Sequence, residues 1–209
     1  MKIAVEEHGI RLKNVNSFNP QHIFECGQAF RWRADGGGYI GVANSRVIRV
    51  INDNDDIILE NANLADYKNI WHNYFDLGRD YKKIKQRLQS SDNKIKEPIE
   101  FGEGIRILNQ DPWETLISFI ISSMNNITRI GKTIANISKK FGEPICFQGN
   151  TYYTFPSPDV LAKARREDFR SCGCGYRDKY VLETAKMVSR DESGLYALVD
   201  LDYEDAFNY

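Results

Sequence analysis

A chain of 209 residues is long enough for one large domain or two modest ones, each burying its own core. Its 42% hydrophobic and 27% charged residues exclude a disordered or a membranous chain, and no apolar run approaches the roughly 18 residues that a spanning helix needs. The formal net charge of −1 is uneven: residues 1–128 carry 16 Lys or Arg against 17 Asp or Glu, residues 129–190 carry 12 against 6, and residues 191–209 carry none against 6.

The first residues, MKIAVEEHGIRLK, have neither the apolar stretch nor the cleavage site of a secretory signal, which makes the cytoplasm the expected compartment. Asn19-Pro20 reads as a helix cap with proline in the first turn. Residue types alternate from Gln28 to Arg33, Asp35-Gly-Gly-Gly38 is a turn, and residues 39–43, 46–51 and 56–60 follow as short strands. Asn44-Ser45 and Asn52-Asp-Asn-Asp55 tolerate turn geometry, so this stretch is expected to be an antiparallel meander. From Leu64 the period lengthens: Tyr67, Ile70, Trp71 and Tyr74 line one side of a helix, and a basic helix follows near residues 81–88. Residues 89–98 read as a polar linker.

The second part opens with Gly104-Ile-Arg-Ile-Leu-Asn-Gln110 and then Asp111-Pro-Trp-Glu114, which sets an acceptor, a proline and a carboxylate at a helix start. Trp113, Leu116, Ile117, Phe119, Ile120 and Ile121 cover nearly all sides of that helix, so it is expected to be central and buried. The next helix carries Ile130, Ile134, Ile137 and Phe141 on one face, with Gly142 just past its end. Ser157-Pro158 starts another, and Ser171-Cys-Gly-Cys-Gly175 is a tight turn before a helix running to about Val188. The expected fold is therefore α+β: an N-terminal antiparallel β-sheet domain with helices, residues 1–98, and a mostly α-helical domain, residues 99–209.

Cys26, Cys146, Cys172 and Cys174 lack a C-x-x-C pair, and His8, His22 and His72 are scattered, so no metal site is readable; reduced, mostly buried thiols are the plain expectation. A local excess of basic residues over 129–190 can attract phosphates even where a distant acidic stretch cancels the total, although a merely solvated helical face explains it equally well.

To reach a base inside duplex DNA a protein must extrude the nucleotide, fill the gap and hold the widowed partner. A tyrosine on a tight glycine turn supplies a rigid wedge, and an adjacent arginine a planar fork for base edges or phosphates. Gly173-Cys-Gly-Tyr-Arg177 supplies both, and Asn125-Asn-Ile-Thr-Arg129 at another helix junction supplies amides and a second guanidinium. Taken singly, each is more often a cap or a turn.

In order along the chain, Gly27-Gln-Ala-Phe-Arg-Trp32, residues 104–120, Asn125-Asn-Ile-Thr-Arg129 and Cys172-Gly-Cys-Gly-Tyr-Arg177 resemble the 8-oxoguanine DNA glycosylases of the helix-hairpin-helix superfamily. The resemblance implies base-excision repair: recognition, flipping and excision of 8-oxoguanine opposite cytosine, with associated AP-lyase strand cleavage. It implies that the Gly27 carbonyl accepts a hydrogen bond from the N7–H that the oxidised base has and guanine lacks. It implies that Arg129 and Arg177 hold the estranged cytosine, that Tyr176 wedges beside it, and that Asn125 and Asn126 support the gap. The implied partner is double-stranded DNA containing oxidised guanine, met by a monomer without cofactor, metal or membrane.

Two departures stand out. Met124 occupies the first place of the family's three-asparagine run, which loosens reading of the opposite base. The family's LPGVG-x-K hairpin, whose lysine attacks the sugar C1′, and a later aspartate are absent, so no catalytic residue is assigned and both are expected beyond Tyr209, in a missing C-terminal segment. Loss of helices packed on the central helix is expected to expose Ile117, Ile120 and Ile121 and to leave the helical domain prone to aggregation. A non-catalytic lesion binder of the same fold is the alternative reading; an alkylated-base glycosylase and an unrelated interaction protein stand behind it.

Overall fold

The computed structural model describes residues 2–91 and 93–208 and divides into two compact units, Met1–Asn109 and Gln110–Tyr209. Met1, Asp92 and Tyr209 lie outside the described residues.

In the first unit, six strands form one antiparallel sheet: β1 (Lys2–Glu6), β2 (Gly9–Lys13), β3 (Trp32–Asp35), β4 (Gly38–Ala43), β5 (Arg46–Asp53) and β6 (Asp56–Glu60), in the order β1-β2-β6-β5-β4-β3. The turn between β4 and β5 has Asn44 at φ 48° and Ser45 at φ 58°. Two successive left-handed residues match the twist of the strands they join, which is why an Asn-Ser pair stands there. Helix α1 (Pro20–Phe24) is capped by the Asn19 side chain, which accepts from the Gln21 and His22 amides.

Ile10, Leu12, Ile48, Val50, Ile57 and Leu59 from the sheet are buried with Trp71, Tyr74 and Phe75. Trp71 and Tyr74 come from one continuous helical stretch, α2 (Leu64–Asp66), a π-turn (Tyr67–Trp71) and α3 (His72–Tyr74), and Phe75 is the residue that caps its end. Phe24 stacks on Trp32 with centroids 3.8 Å apart, and the Trp32 indole donates to the Tyr74 hydroxyl at 3.0 Å.

One expectation is corrected here, and one hairpin went unforeseen. The hairpin β1-β2 was not foreseen, because β2 is fixed by pairing with β6, a partner remote in sequence. Residues 89–98 are not a linker: α4 (Tyr81–Ser91) continues through the start of this stretch, a 3-10 turn (Asn93–Ile95) follows, and α5 (Lys96–Phe101) begins within it. Polar composition there reflects solvent-facing helix, with Lys96 and Glu100 paired one turn apart.

The second unit holds α6 (Pro112–Ser122), α7 (Ile127–Phe141), the hairpin β7 (Pro144–Phe147) and β8 (Asn150–Tyr153), then α8 (Pro158–Ala162), α9 (Arg166–Cys172), α10 (Asp178–Val188), α11 (Glu192–Ala197) and α12 (Tyr203–Asn208). Asp111 caps α6 by accepting from the Glu114 amide at 2.9 Å, as its sequence predicts. Ile130, Ile134 and Ile137 of α7 are buried in line with their spacing. Helix α6 is only partly enclosed: Trp113, Ile117 and Ile121 are buried, while Phe119 is 74% exposed. The expected exposure of Ile117 and Ile121 is thus overturned, because neighbouring helices of this unit cover that face; α6 contacts α7, α10 and α11. The architecture is α+β, a β-sheet unit with helices followed by a predominantly helical one.

Candidate nucleic-acid interface

Two helix junctions of the second unit meet through one side chain. Between α6 and α7 the chain turns at Met124, whose φ of 47° is left-handed. Asn125 secures the turn: its amide nitrogen Nδ2 donates to the Ile121 carbonyl at 3.1 Å, and its Oδ1 accepts from the Asn126 amide at 3.0 Å. Asn126 is the N-cap of α7, its Oδ1 accepting from the Arg129 amide at 3.0 Å. In this structure both asparagines therefore serve their own backbone, and Arg129 stands exposed in the first turn of α7.

Between α9 and α10, Gly173 at φ 101° ends α9 and Gly175 at φ 59° starts the 3-10 turn Gly175–Arg177. Glycine meets both angles without the cost a Cβ adds, most sharply at the 101° of Gly173, which fits the motif Gly-x-Gly. Asn136 Nδ2 donates to the Cys172 carbonyl at 3.0 Å and ties this turn to α7.

Arg177 joins the junctions. Its guanidinium donates through Nε to the Ser123 carbonyl at 2.9 Å, through Nη2 to the same carbonyl, and through Nη2 to the Met124 carbonyl at 3.1 Å. Only 7% of Arg177 is exposed, whereas Tyr176 is 59% exposed with its ring 4.4 Å from the guanidinium. The result is an outward aromatic plate and an outward Met124 loop, both braced from beneath by one arginine.

Asp178, fully buried at the start of α10, was not singled out from sequence. It accepts from Arg166 at 3.1 and 3.2 Å and pairs with Arg170 Nε at 2.6 Å. The Arg166 hydrogen bonds hold its carboxyl below the usual range. The available signal was an arginine pair four residues apart, one helical turn, followed by a single acid.

Gly27 lies in the first unit, half-buried at φ 86° just after α1. Gln28 pins its loop: Nε2 donates to the carbonyls of Ile23 at 2.9 Å and Arg106 at 2.8 Å, and Oε1 accepts from the Leu108 amide at 2.9 Å. The cysteines divide. Cys172 and Cys174 are buried, and burial pushes the Cys174 thiol up to about 12; Cys26 and Cys146 are exposed, which corrects the expectation of mostly buried thiols. Cys146 sits in the short hairpin strand β7, whose existence the sequence reading missed. Among the described residues no group of three or more His, Cys, Asp or Glu is placed to hold a metal ion, and no helix is long and apolar enough to cross a membrane.

A family model for the 8-oxoguanine DNA glycosylase N-terminal domain matches residues 10–116. The N-glycosylase/DNA lyase of Saccharomyces cerevisiae is 32% identical over 97% of this chain and 56% of its own length. A probable N-glycosylase/DNA lyase of Methanothermobacter thermautotrophicus is 30% identical over 63% of this chain and 48% of its own. The chain thus spans about half the length of these curated relatives. Clostridium acetobutylicum 8-oxoguanine glycosylase/lyase, solved with double-stranded DNA carrying cytosine opposite 8-oxoguanine, superposes with a TM-score of 0.95 at 40% identity, covering 99% of this chain and 71% of that one. MBOgg1 in complex with a low-affinity DNA ligand gives 0.92 at 44% identity, covering 98% and 72%. The 3-methyladenine DNA-glycosylase of Archaeoglobus fulgidus, at 20% identity and a TM-score of 0.73 over 95% of this chain and 72% of its own, shares the fold alone.

Proposed function

The chain belongs to the 8-oxoguanine DNA glycosylase family, and from that premise we propose that it recognises and flips 8-oxoguanine in double-stranded DNA during base-excision repair. The β-rich part, residues 1–98, reads the lesion through the Gly27 carbonyl. The helical part, residues 99–209, opens the duplex: Tyr176 wedges beside the gap, Arg129 takes the estranged cytosine together with Arg177 once the Arg177 guanidinium turns out from the Ser123 and Met124 carbonyls, and Asn125 and Asn126 support the space. Excision and AP-lyase cleavage are the further activities that membership of the family proposes, and no residue of the chain is given the nucleophile's role. The protein acts as a cytoplasmic monomer.

One observation carries this reading: a single buried arginine, Arg177, holds the Met124 loop and the Tyr176 turn together, so that an exposed ring, an exposed arginine on α7 and two amides arise from coupled junctions. That is the combination of plane, polarity and charge that base extrusion requires.

Binding of the 209-residue chain to matched duplexes with and without 8-oxoguanine opposite cytosine tests it. The lesion duplex is expected to bind more tightly, and Tyr176→Ala to lower its affinity by about 1–3 kcal/mol, the scale of one stacked base. Equal affinity for both duplexes, unaltered in Tyr176→Ala, would sink the reading. The alternative reading is lesion binding without excision by this chain. Borohydride reduction is expected to trap no covalent DNA adduct, and a trapped adduct would refute that alternative.

A further inference from the structure

Among the described residues Met124 is the most exposed large hydrophobic side chain, at 94%, and it stands at a left-handed φ of 47° that any residue with a side chain adopts at a cost. The conformation is imposed from both sides. The Met124 carbonyl accepts from Arg177, and the next amide, Asn125 N, donates back to the Ser122 carbonyl at 3.1 Å. The thioether is thereby displayed to solvent on the same braced loop as Asn125 and Asn126, with none of the packing that makes a core methionine inert.

We propose that Met124 is a site of reversible oxidation by hydrogen peroxide, whose sulfoxide gives the interface a hydrogen-bond acceptor where the reduced chain presents an apolar tip. The sulfur lone pair attacks one peroxide oxygen, and an S–O bond forms as the O–O bond breaks. The departing hydroxide takes the proton of the transferred oxygen and leaves as water. Sulfur loses two electrons and the peroxide gains them. Two thiols restore the thioether: the S–O bond breaks, the oxygen leaves as water with the two thiol protons, and the two sulfurs that supply the electrons join as a disulfide. The effect on DNA rests on the interface reading above. At its position-4 group a cytosine without its partner presents an N4 amino donor, which a sulfoxide oxygen aimed there can accept, whereas thymine presents an O4 acceptor at that group, which it cannot, and donates only from N3–H. Oxidation therefore sharpens cytosine selection, in a protein whose damaged substrate is itself made by oxidants.

The test treats the full 209-residue chain with increasing hydrogen peroxide, maps the added oxygen by peptide mass spectrometry, and measures affinity for duplexes with cytosine or thymine opposite 8-oxoguanine. Met187, 70% exposed on α10, is the internal standard. Met124 is expected to gain oxygen at peroxide doses no higher than Met187 needs. The cytosine-over-thymine affinity ratio is expected to rise about fivefold, the scale of one hydrogen bond. Met124→Leu, which keeps an apolar tip and cannot be oxidised, is expected to show the same ratio before and after treatment. Met124 left intact while Met187 is oxidised overturns the site, and a peroxide-driven rise that persists in Met124→Leu overturns its role. A reduced chain that binds no DNA defeats the interface reading and the acceptor role with it, while the oxygen map still decides the oxidation site.

Discussion

Arg177 faces inward, and its fork is what a lysine cannot imitate: two nitrogens of a rigid plane serve two successive carbonyls, Ser123 and Met124, 54 and 53 residues away in sequence. Arg177→Lys is expected to leave one of those carbonyls without a donor and to cost about 1–3 kcal/mol in urea denaturation. Tyr176→Ala, removing an exposed ring, is expected to stay within about 0.5 kcal/mol; equal losses for the two variants would mean that the clasp does not hold the junctions. The pair Tyr176-Arg177 was legible in the sequence as a motif, but the direction of the guanidinium was not, because its acceptors belong to a junction fixed only by the packing of α6. Asp168 offers a second test at this scale. Lys140, bonded at 2.8 Å, and the Arg165 amide hold its carboxyl down to about 2. A group whose pKa is depressed on folding stabilises above its ordinary value and loses that contribution as pH falls toward its folded one. Stability is thus expected to decline from about pH 4 to about pH 2, with a shallower decline in Asp168→Asn when denaturation midpoints are compared. Parallel declines would remove Asp168 as a contributor.

Among the elements, the β3–β6 meander was legible because its turns are written in Asp, Gly and Asn, whereas two pairings were hidden. Strand β2 depends on β6 across most of the sheet's sequence, and the β7-β8 hairpin turns at Gln148 and Gly149, both left-handed, with only one glycine to mark it. Helices α6, α7 and α10 were legible from caps and period, while α4 and α5 lost their boundary because a solvated basic helix and a polar linker share a composition. Glycine at position 41 shows how tightly the meander is tied to the aromatic cluster. A Cβ built there comes within 2.4 Å of the Trp32 ring, which is stacked on Phe24 and bonded to Tyr74. Gly41→Ala is expected to push the indole off that stack and to destabilise the first unit by about 1–3 kcal/mol, the usual range for overpacking. The matching readout is a change in tryptophan fluorescence with a lowered unfolding midpoint. A variant with unchanged fluorescence and midpoint would show that the sheet yields at β3 instead.

For the molecule as a whole, the charge segregation gains meaning once both charged segments fall in one unit. Residues 129–190 and 191–209 share the unit Gln110–Tyr209, and the second segment is wholly acidic in its ionisable side chains. A domain of about 100 residues has a radius of gyration of about 13 Å, comparable with the Debye length of about 10 Å at 0.1 M salt. On the proposed DNA-binding reading, acids at residues 200–205 lie close enough to repel DNA along the basic segment, by a field that salt can remove. Asp200, Asp202, Glu204 and Asp205 are all exposed. Replacing them by Asn, Asn, Gln and Asn removes charge while keeping an acceptor at position 202, where Asp202 Oδ1 caps α12 through the Asp205 amide at 3.0 Å. The fourfold variant is expected to bind undamaged duplex about threefold or more tightly at ~50 mM salt and equally at ~500 mM, with a steeper dependence of log affinity on log salt. A gain that persists at high salt would point to direct contact between these acids and the basic segment rather than to a screened field.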